Sequence, residues 1–476
     1  MNTHNPESRI DKKVHAPIVE ALQKAIENPT YQFHIPGHTK GEGVYPGFKK
    51  LVGKKALLVD TTDEFDNLGT LHPATGPIKE AQDLAAKAFG AKKTLFLLNG
   101  STVGNLALAM SLTKRGQKII VNRNCHRSIL TGMIMSGAEP LWLVPKRLDE
   151  WGIWGSVVPE DVEELLSSNK DVSLVWITNP TYEGVVSDVK SISEICKKYD
   201  VPLLVDEAHG CLWHFNKHLP VSSLELGADA LVHSLHKTGG SMSQSSMLHI
   251  GENSKLDVEK IEKALKLMHT TSPSLTLLAS LDASRANLQS DKGQKQIERA
   301  IKNAKYLRKR IDNISGMHQL KTDFGYQTDV TKVFIKMDGI SGKRLESILE
   351  LDFKIEVESA SDVGLLVLAN IGNKRSEFEY LADCLEKISK KEYSDICYLE
   401  NKRHMPMLTP IIKMNIQDAF YSQKETVLKE DAIGRISGEI IAECPPGIAI
   451  LVPGELITQE HMSYLEDYEY LDVLKG

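Results

Sequence analysis

The sequence predicts an α/β protein: a large domain on a mainly parallel sheet with helices on both faces, followed by a smaller α+β domain. Three observations predict it. Between about residues 74 and 233, short apolar runs alternate with helical stretches, a pattern that implies right-handed crossovers and a sheet covered on both sides. The chain has 476 residues, 41% hydrophobic and 25% charged, enough for two or three cores of a soluble globular protein. Chemically capable residues cluster just after the apolar runs, where ligands bind in such sheets.

The elements follow in order. Residues 1–45 read as an arm, with a short helix from Pro17 to Glu27 and then FHIPGHTKGEG, rich in Gly, Pro and His. Residues 46–315 read as the large domain. GPIKEAQDLAAKAFG is a helix with apolar Ile78, Ala81, Leu84, Ala85 and Ala88 and a Gly90 stop. TLFLLNG is a strand and turn, and STVGNLALAMSLT a helix beginning at Ser101 or Thr102. Strands KIIVNR, PLWLV, SLVWITNP, VPLLVDEAHG and ADALVHS then alternate with helices SILTGMIMSG, PEDVEELLSS and VKSISEICKKYD. Residues 255–315 are charged and helical. Residues 316–476 read as the small domain, with strands KVFIKM, KIEVES and GLLVLAN, helix FEYLADCLEKISK, and a Pro/Gly-punctuated strand in ECPPGIAILVPGE. We find no internal repeat.

Composition excludes several functions. The net charge of -6 offers no basic field for nucleic acid and no polybasic membrane patch. MNTHNPESRIDKK has no apolar signal core, and no run of about 18 apolar residues suggests a transmembrane helix. Six scattered cysteines (125, 196, 211, 384, 397, 444) read as free thiols of a cytoplasmic protein. A small-molecule ligand fits this balance.

Lys237 lies in SLHKTGG, past the apolar run ADALV, among Ser234, His236 and two glycines. Most lysines are solvated surface groups, but hydroxyls, imidazole and glycine amides are what a phosphate requires. Asp206 ends VPLLV, where a carboxylate serves as a helix cap, an ion-pair partner or the partner of a buried cation such as a protonated pyridine. NGSTVGN (Asn99 to Asn105) opens a helix, either as a plain cap by Ser101 or Thr102 or as an anion site. His126, in RNCHRS, is a structural histidine or a ring that lies flat on an aromatic cofactor. Cys211, His214 and His218 with His233 and His236 offer a zinc alternative, without a complementary Cys/His pair nearby. HExxH and GxSxG are absent. Together, a strand-end Asp, a strand-end Lys 31 residues later in SxHK and an upstream G-S-T helix start describe a pyridoxal phosphate site, with the lysine as its Schiff base.

FHIPGHTKG (33–41), DNLGTLHPATGPIKEAQDLAAKAFGA (66–91), LNGSTVGN (98–105), RNCHRS (123–128), NPTYEGV (179–185), VDEAHG (205–210), HSLHKTGGSMSQSS (233–246), TTSPS (270–274) and CPPGIAILVPGE (444–455) run almost end to end. With these motifs the chain resembles the bacterial ornithine/lysine/arginine decarboxylases of the aspartate-aminotransferase fold, the fold type I pyridoxal phosphate enzymes. The resemblance implies a seven-stranded, mainly parallel sheet. It implies Lys237 bound to the cofactor, Asp206 at the pyridine nitrogen, His126 on one ring face, Ala208 on the other and His209 close by. Ser101, Thr102, Ser234 and His236 would meet the phosphate. Because FHIPGHTKG begins at residue 33, the chain is similar to the short form without the receiver-like N-terminal domain. A homodimer, or a dimer of dimers with shared active sites, is expected rather than a decamer. The substrate would be a basic amino acid, arginine favoured over lysine or ornithine, and the product a polyamine precursor. Asp63, Glu64, Asp66, Glu443 and Glu455 are candidates for its distal cation. The rivals are another fold type I reaction, such as transamination (for which we identify no carboxylate-binding arginine) or aldol cleavage, and a non-catalytic regulatory homologue.

Overall fold

The computed structural model describes residues 14–28, 30–62, 68–321, 327–391, 408–443 and 446–475. Its centre is a seven-stranded sheet of β1 (Ala91–Leu97), β2 (Lys118–Asn122), β3 (Glu139–Leu143), β4 (Val172–Thr178), β5 (Leu203–Asp206), β6 (Ala230–His233) and β7 (Ser246–Gly251). The strand order is β1-β7-β6-β5-β4-β2-β3. Only β7 opposes its neighbours, pairing antiparallel with β1 and β6, while β6, β5, β4, β2 and β3 pair in parallel. The six codirectional strands therefore deliver their C-terminal ends to one edge. The alternation in sequence names six of these strands and misses β7, whose residues SMLHIG follow the serine-rich turn and are all buried.

Period-two alternation sorts the strand residues between two apolar layers. Ile119, Val121 and Leu204 pack toward α3 (Gly100–Leu112) and α4 (Arg127–Ser136). Ile120, Leu203 and Val205 pack on the other face toward α5 (Pro159–Ser168) and α6 (Val189–Lys198). Leu204 and Asp206 share a side of β5, so this alternation turns the Asp206 carboxylate toward α3. Gly137 closes α4 in the left-handed region at φ 75°, as expected of a helix-ending glycine. The helix at Pro17–Glu27 has the bounds read from the sequence and is docked: Ile18 and Leu22 are buried, and the Ile18 amide donates to Asp282 at 2.9 Å.

After three helices between Val258 and Ile311, a four-stranded antiparallel sheet forms from β8 (Met317–Gln319), β9 (Lys332–Met337), β10 (Ser359–Ala360) and β11 (Leu365–Leu368), ordered β8-β9-β11-β10. Its core includes Ala304, Leu307, Val333, Ile335, Leu365 and Leu385. KIEVES is not the strand expected: the preceding helix runs to Phe353, and ladder pairing begins at Ser359. A last apolar cluster joins Ala432, Ile441, Ile450, Leu471 and Val473, and the Ile448–Leu451 strand in it reaches back to the sheet edge.

Candidate active site

The C-terminal edge of the sheet gathers the residues that the sequence singles out. Asp206, the last residue of β5, is 4% exposed. Its Oδ2 accepts from the Asn105 amide at 3.0 Å and its Oδ1 from the Ala208 amide at 3.2 Å. Asn105, on α3, also donates to Ser128 Oγ at 2.9 Å, and that hydroxyl lies 2.7 Å from His126 Nδ1. Because the Ser128 amide also donates to Nδ1, that nitrogen is an acceptor and the ring proton belongs on Nε2. Burial, the largest influence, pushes the His126 imidazolium down, so the ring is favoured neutral. Asn105 and Ser128 are two candidate site residues that the sequence reading did not single out. Both stand inside quoted motifs, LNGSTVGN and RNCHRS, and that was the available signal.

Ser101 and Thr102 occupy the first turn of α3. Neither is the cap: Asn99 precedes the helix and makes no side-chain cap bond, while Ser101 Oγ turns to Ser234 Oγ at 2.8 Å. Two hydroxyls from different elements thus meet beside the orphan amides of a 13-residue helix, a cradle for an oxyanion. His236 hydrogen-bonds through Nδ1 to the Ser245 carbonyl at 2.9 Å. Lys237 lies in the single turn Leu235–Thr238, and its Nζ is 2.9 Å from His209 Nε2. His126, Asp206, Ala208, His209 and Lys237 all line one cleft, closed on one side by Tyr182. Burial lowers the proton affinity of Lys237, against the pull of Asp206 and Glu358.

Two contacts from the small domain were not legible in sequence. Lys332, 2% exposed at the start of β9, places Nζ 2.9 Å from His209 Nδ1. Tyr182 donates its hydroxyl to Glu358 Oε1 at 2.6 Å. The C-terminal segment closes the back of the site: Arg123 donates to the carbonyls of Ala449 and Ile450, and the Arg127 amide to that of Gly447.

The zinc alternative does not assemble as the five residues proposed. Cys211 contacts Thr238, His236 faces Ser245 and His218 is exposed. His214 and His233 do approach Glu207. That carboxylate already accepts from Ser222, His233 and the Ser223 amide, as a hydrogen-bonded core network would have it. Burial pushes Glu207 up to about 7 and His233 down to about 3, so the His233 ring is favoured neutral. Among the distal-cation candidates, Glu455 is fully buried on His461 and the Val452 amide. Asp63, Glu64, Asp66 and the Glu443 side chain lie outside the described residues.

The chain is 36% identical over 457 residues to an arginine decarboxylase of Bacillus subtilis, covering 94% of this chain and 92% of that one. It is 38% identical over 450 residues to an arginine decarboxylase of Halalkalibacterium halodurans, covering 93% and 91%. In fold it matches a lysine decarboxylase of Francisella novicida with a TM-score of 0.86 at 20% identity, covering 97% of this chain and 82% of that one. Family models match twice, Orn/Lys/Arg decarboxylase, major domain, at residues 16–336 and Orn/Lys/Arg decarboxylase, C-terminal domain, at residues 399–475. The chain therefore belongs to the Orn/Lys/Arg decarboxylase family and is a carboxy-lyase on an α/β fold.

Proposed function

We propose that this protein removes the α-carboxylate of a basic amino acid, arginine in first place, with pyridoxal phosphate bound at Lys237. The observation that carries this reading is the convergence of Lys237, Asp206 and His126 on one cleft, near the paired hydroxyls of Ser101 and Ser234. The residues fit that cofactor. Ser101, Thr102, Ser234 and His236 would hold its phosphate at the α3 terminus. Asp206, fixed by Asn105 and Ala208, would face the pyridine nitrogen, with His126 and Ala208 on either side of the ring. When bound, the cofactor supplies the sink for the electron pair left on Cα as CO2 departs. The chain's own part is to orient and to move protons. Asn105 aims Asp206, Ser128 sets the His126 tautomer, and the amine of Lys237 beside His209 is placed to return a proton to Cα.

The activity of the Bacillus and Halalkalibacterium relatives supports arginine. Glu358 is the acidic group for which the geometry offers an argument: its bond to Tyr182 brings a carboxylate to the cleft wall, and we assign it the substrate's distal cation. We also infer a homodimer. Tyr31 (95% exposed), Phe33 (96%), Tyr45 (78%) and Leu51 (81%) all stand uncovered on the N-terminal segment, large apolar side chains that a partner chain would bury. A cytoplasmic location agrees with the cysteines at 125, 196, 211 and 384, which are free and buried among the described residues. Among the described residues no helix is long and apolar enough to cross a membrane.

The test is CO2 release from arginine, lysine and ornithine by the purified, cofactor-loaded protein. Release from arginine well above the other two is expected. Release from none of them, with cofactor bound, refutes the reading.

A further inference from the structure

We propose that Lys332 is a positioning residue which, through His209, holds Lys237 as the uncharged amine and then supplies it with the proton that each turnover consumes. The inference rests on the decarboxylase reading of the same cleft. It starts from an unbroken line of three nitrogen groups. Lys332 Nζ is 2.9 Å from His209 Nδ1, and His209 Nε2 is 2.9 Å from Lys237 Nζ. Lys332 also donates to the Tyr182 carbonyl at 2.7 Å.

Donor counting limits the charge on this line. A neutral imidazole has one N–H and one lone pair. Two ammonium groups would each need a lone pair on the ring, which has only one. If the ring is instead imidazolium, it donates at both nitrogens and both amines must be neutral. With both contacts intact, the three groups can therefore carry at most one excess proton.

The surroundings decide where that proton rests. His209 faces Lys237, Lys332, His236 and His126; burial and these groups push its proton affinity well down. Lys332 faces Asp329, Glu358 and Glu183, besides Lys237, and burial brings its ammonium down to about 8. Lys237 faces Asp206 and Glu358. With cofactor bound, Asp206 would be the partner of the pyridine, and Glu358 faces both amines, so the carboxylates that distinguish the two, Asp329 and Glu183, are at Lys332. The Tyr182 carbonyl, which only accepts, favours it there too. Lys332 then donates to Nδ1, and Nε2–H donates to the lone pair of Lys237. The loop at 179–185 is shaped to the lysine stem. Gly184 has φ +99°, and a Cβ there would lie 2.8 Å from Lys332 Cδ and 2.9 Å from its Cβ.

The same line delivers a proton. Decarboxylation breaks the Cα–carboxylate bond, leaves its electron pair on carbon, and makes a new C–H bond at the cost of one proton. Lys332 passes its proton to Nδ1, Nε2 passes one to Lys237, and Lys237 gives one to the carbon. Solvent restores the missing proton as product leaves.

The experiment uses the full-length protein, stripped of cofactor and reloaded across a pH series. Capture of pyridoxal phosphate is followed by absorbance, and its site is located by borohydride reduction and mass spectrometry. Lys332→Met removes the like charge that opposes an ammonium at Lys237. The pH of half-maximal capture on Lys237 is expected to rise by about one unit or more. Lys332→Arg keeps the cation but cannot release its proton. Its capture profile should overlay the wild type, while CO2 release falls by about a hundredfold or more. A Lys332→Met profile that overlays the wild type, or cofactor loss in both variants without a pH shift, overturns the charge placement. CO2 release by Lys332→Arg within about threefold of wild type overturns the delivery, whether or not the methionine variant folds. A wild type that captures cofactor yet releases no CO2 from any basic amino acid refutes the decarboxylase reading and the delivery together. The capture profiles then judge the charge placement alone.

Discussion

Asn105→Leu is the substitution that most directly tests how the site is aimed. Asn105 is fully buried and donates twice, to Asp206 Oδ2 at 3.0 Å and to Ser128 Oγ at 2.9 Å. The first bond is charge-assisted and worth about 1.5–3 kcal/mol; the second, between neutral groups, is worth about 1 kcal/mol. Leucine has the same branched shape with bulkier methyl ends, so it removes both donors without opening a cavity. Fold stability should drop by about 2–4 kcal/mol, read by denaturant unfolding of the cofactor-free protein. If Asn105 holds the Asp206 carboxylate in its working position, the barrier to decarboxylation rises by about 1.5–3 kcal/mol. That slows turnover by about 10- to 150-fold. Thr113→Ala at the other end of α3 is the control. Thr113 bonds the Ala109 carbonyl and Ser136 Oγ at the C-terminal end of α3 and does not line the cleft, so its loss should cost stability and spare turnover. Turnover by Asn105→Leu within twofold of wild type, after correction for cofactor content, would refute the reasoning.

The other predictions are shorter. Lys237→Ala should lose nearly all turnover and the borohydride-trapped cofactor, and labelling of any other lysine in the wild type would sink the assignment. Asp206→Asn should keep the cofactor but slow turnover by about a hundredfold, because an amide in this dry site cannot hold a pyridinium; near-normal rates would remove Asp206 from that role. His233 is held at about 3 against an ordinary value of 6.5, so its stabilising neutral form is fully present above pH 6.5 and is lost as pH falls toward 3. His233→Gln should flatten that acid limb by about 1.4 kcal/mol per pH unit at most, measured by unfolding of the cofactor-free protein; an unchanged limb would mean that His233 does not titrate there. Deleting residues 1–40 should reduce both the mass in solution and the turnover, and full activity in the truncated protein would end the argument for a shared site.

By itself the sequence determined those features whose cause is local. Apolar alternation marked six strands of the large sheet, and the Pro17–Glu27 helix followed from its own periodicity and proline start. Lys237, Asp206, His126, Ser101 and Ser234 were legible because each follows an apolar run, and parallel strands must end on one edge. Tertiary structure decided what depends on contacts between distant segments. Asn105 meets Asp206 across 101 residues, and Lys332 meets His209 across 123. Local pattern carries no distance of that kind. In TKVFIKM, Lys332 and Lys336 stand four residues apart on the same side of β9 and look alike. Yet Lys332 is buried against the large domain while Lys336 is only partly covered. β7 was missed for a related reason: its opposed direction is fixed by pairing with β1 and β6, not by its own six residues. A strand's residues set which side chains alternate, but the neighbouring segments decide what those side chains meet.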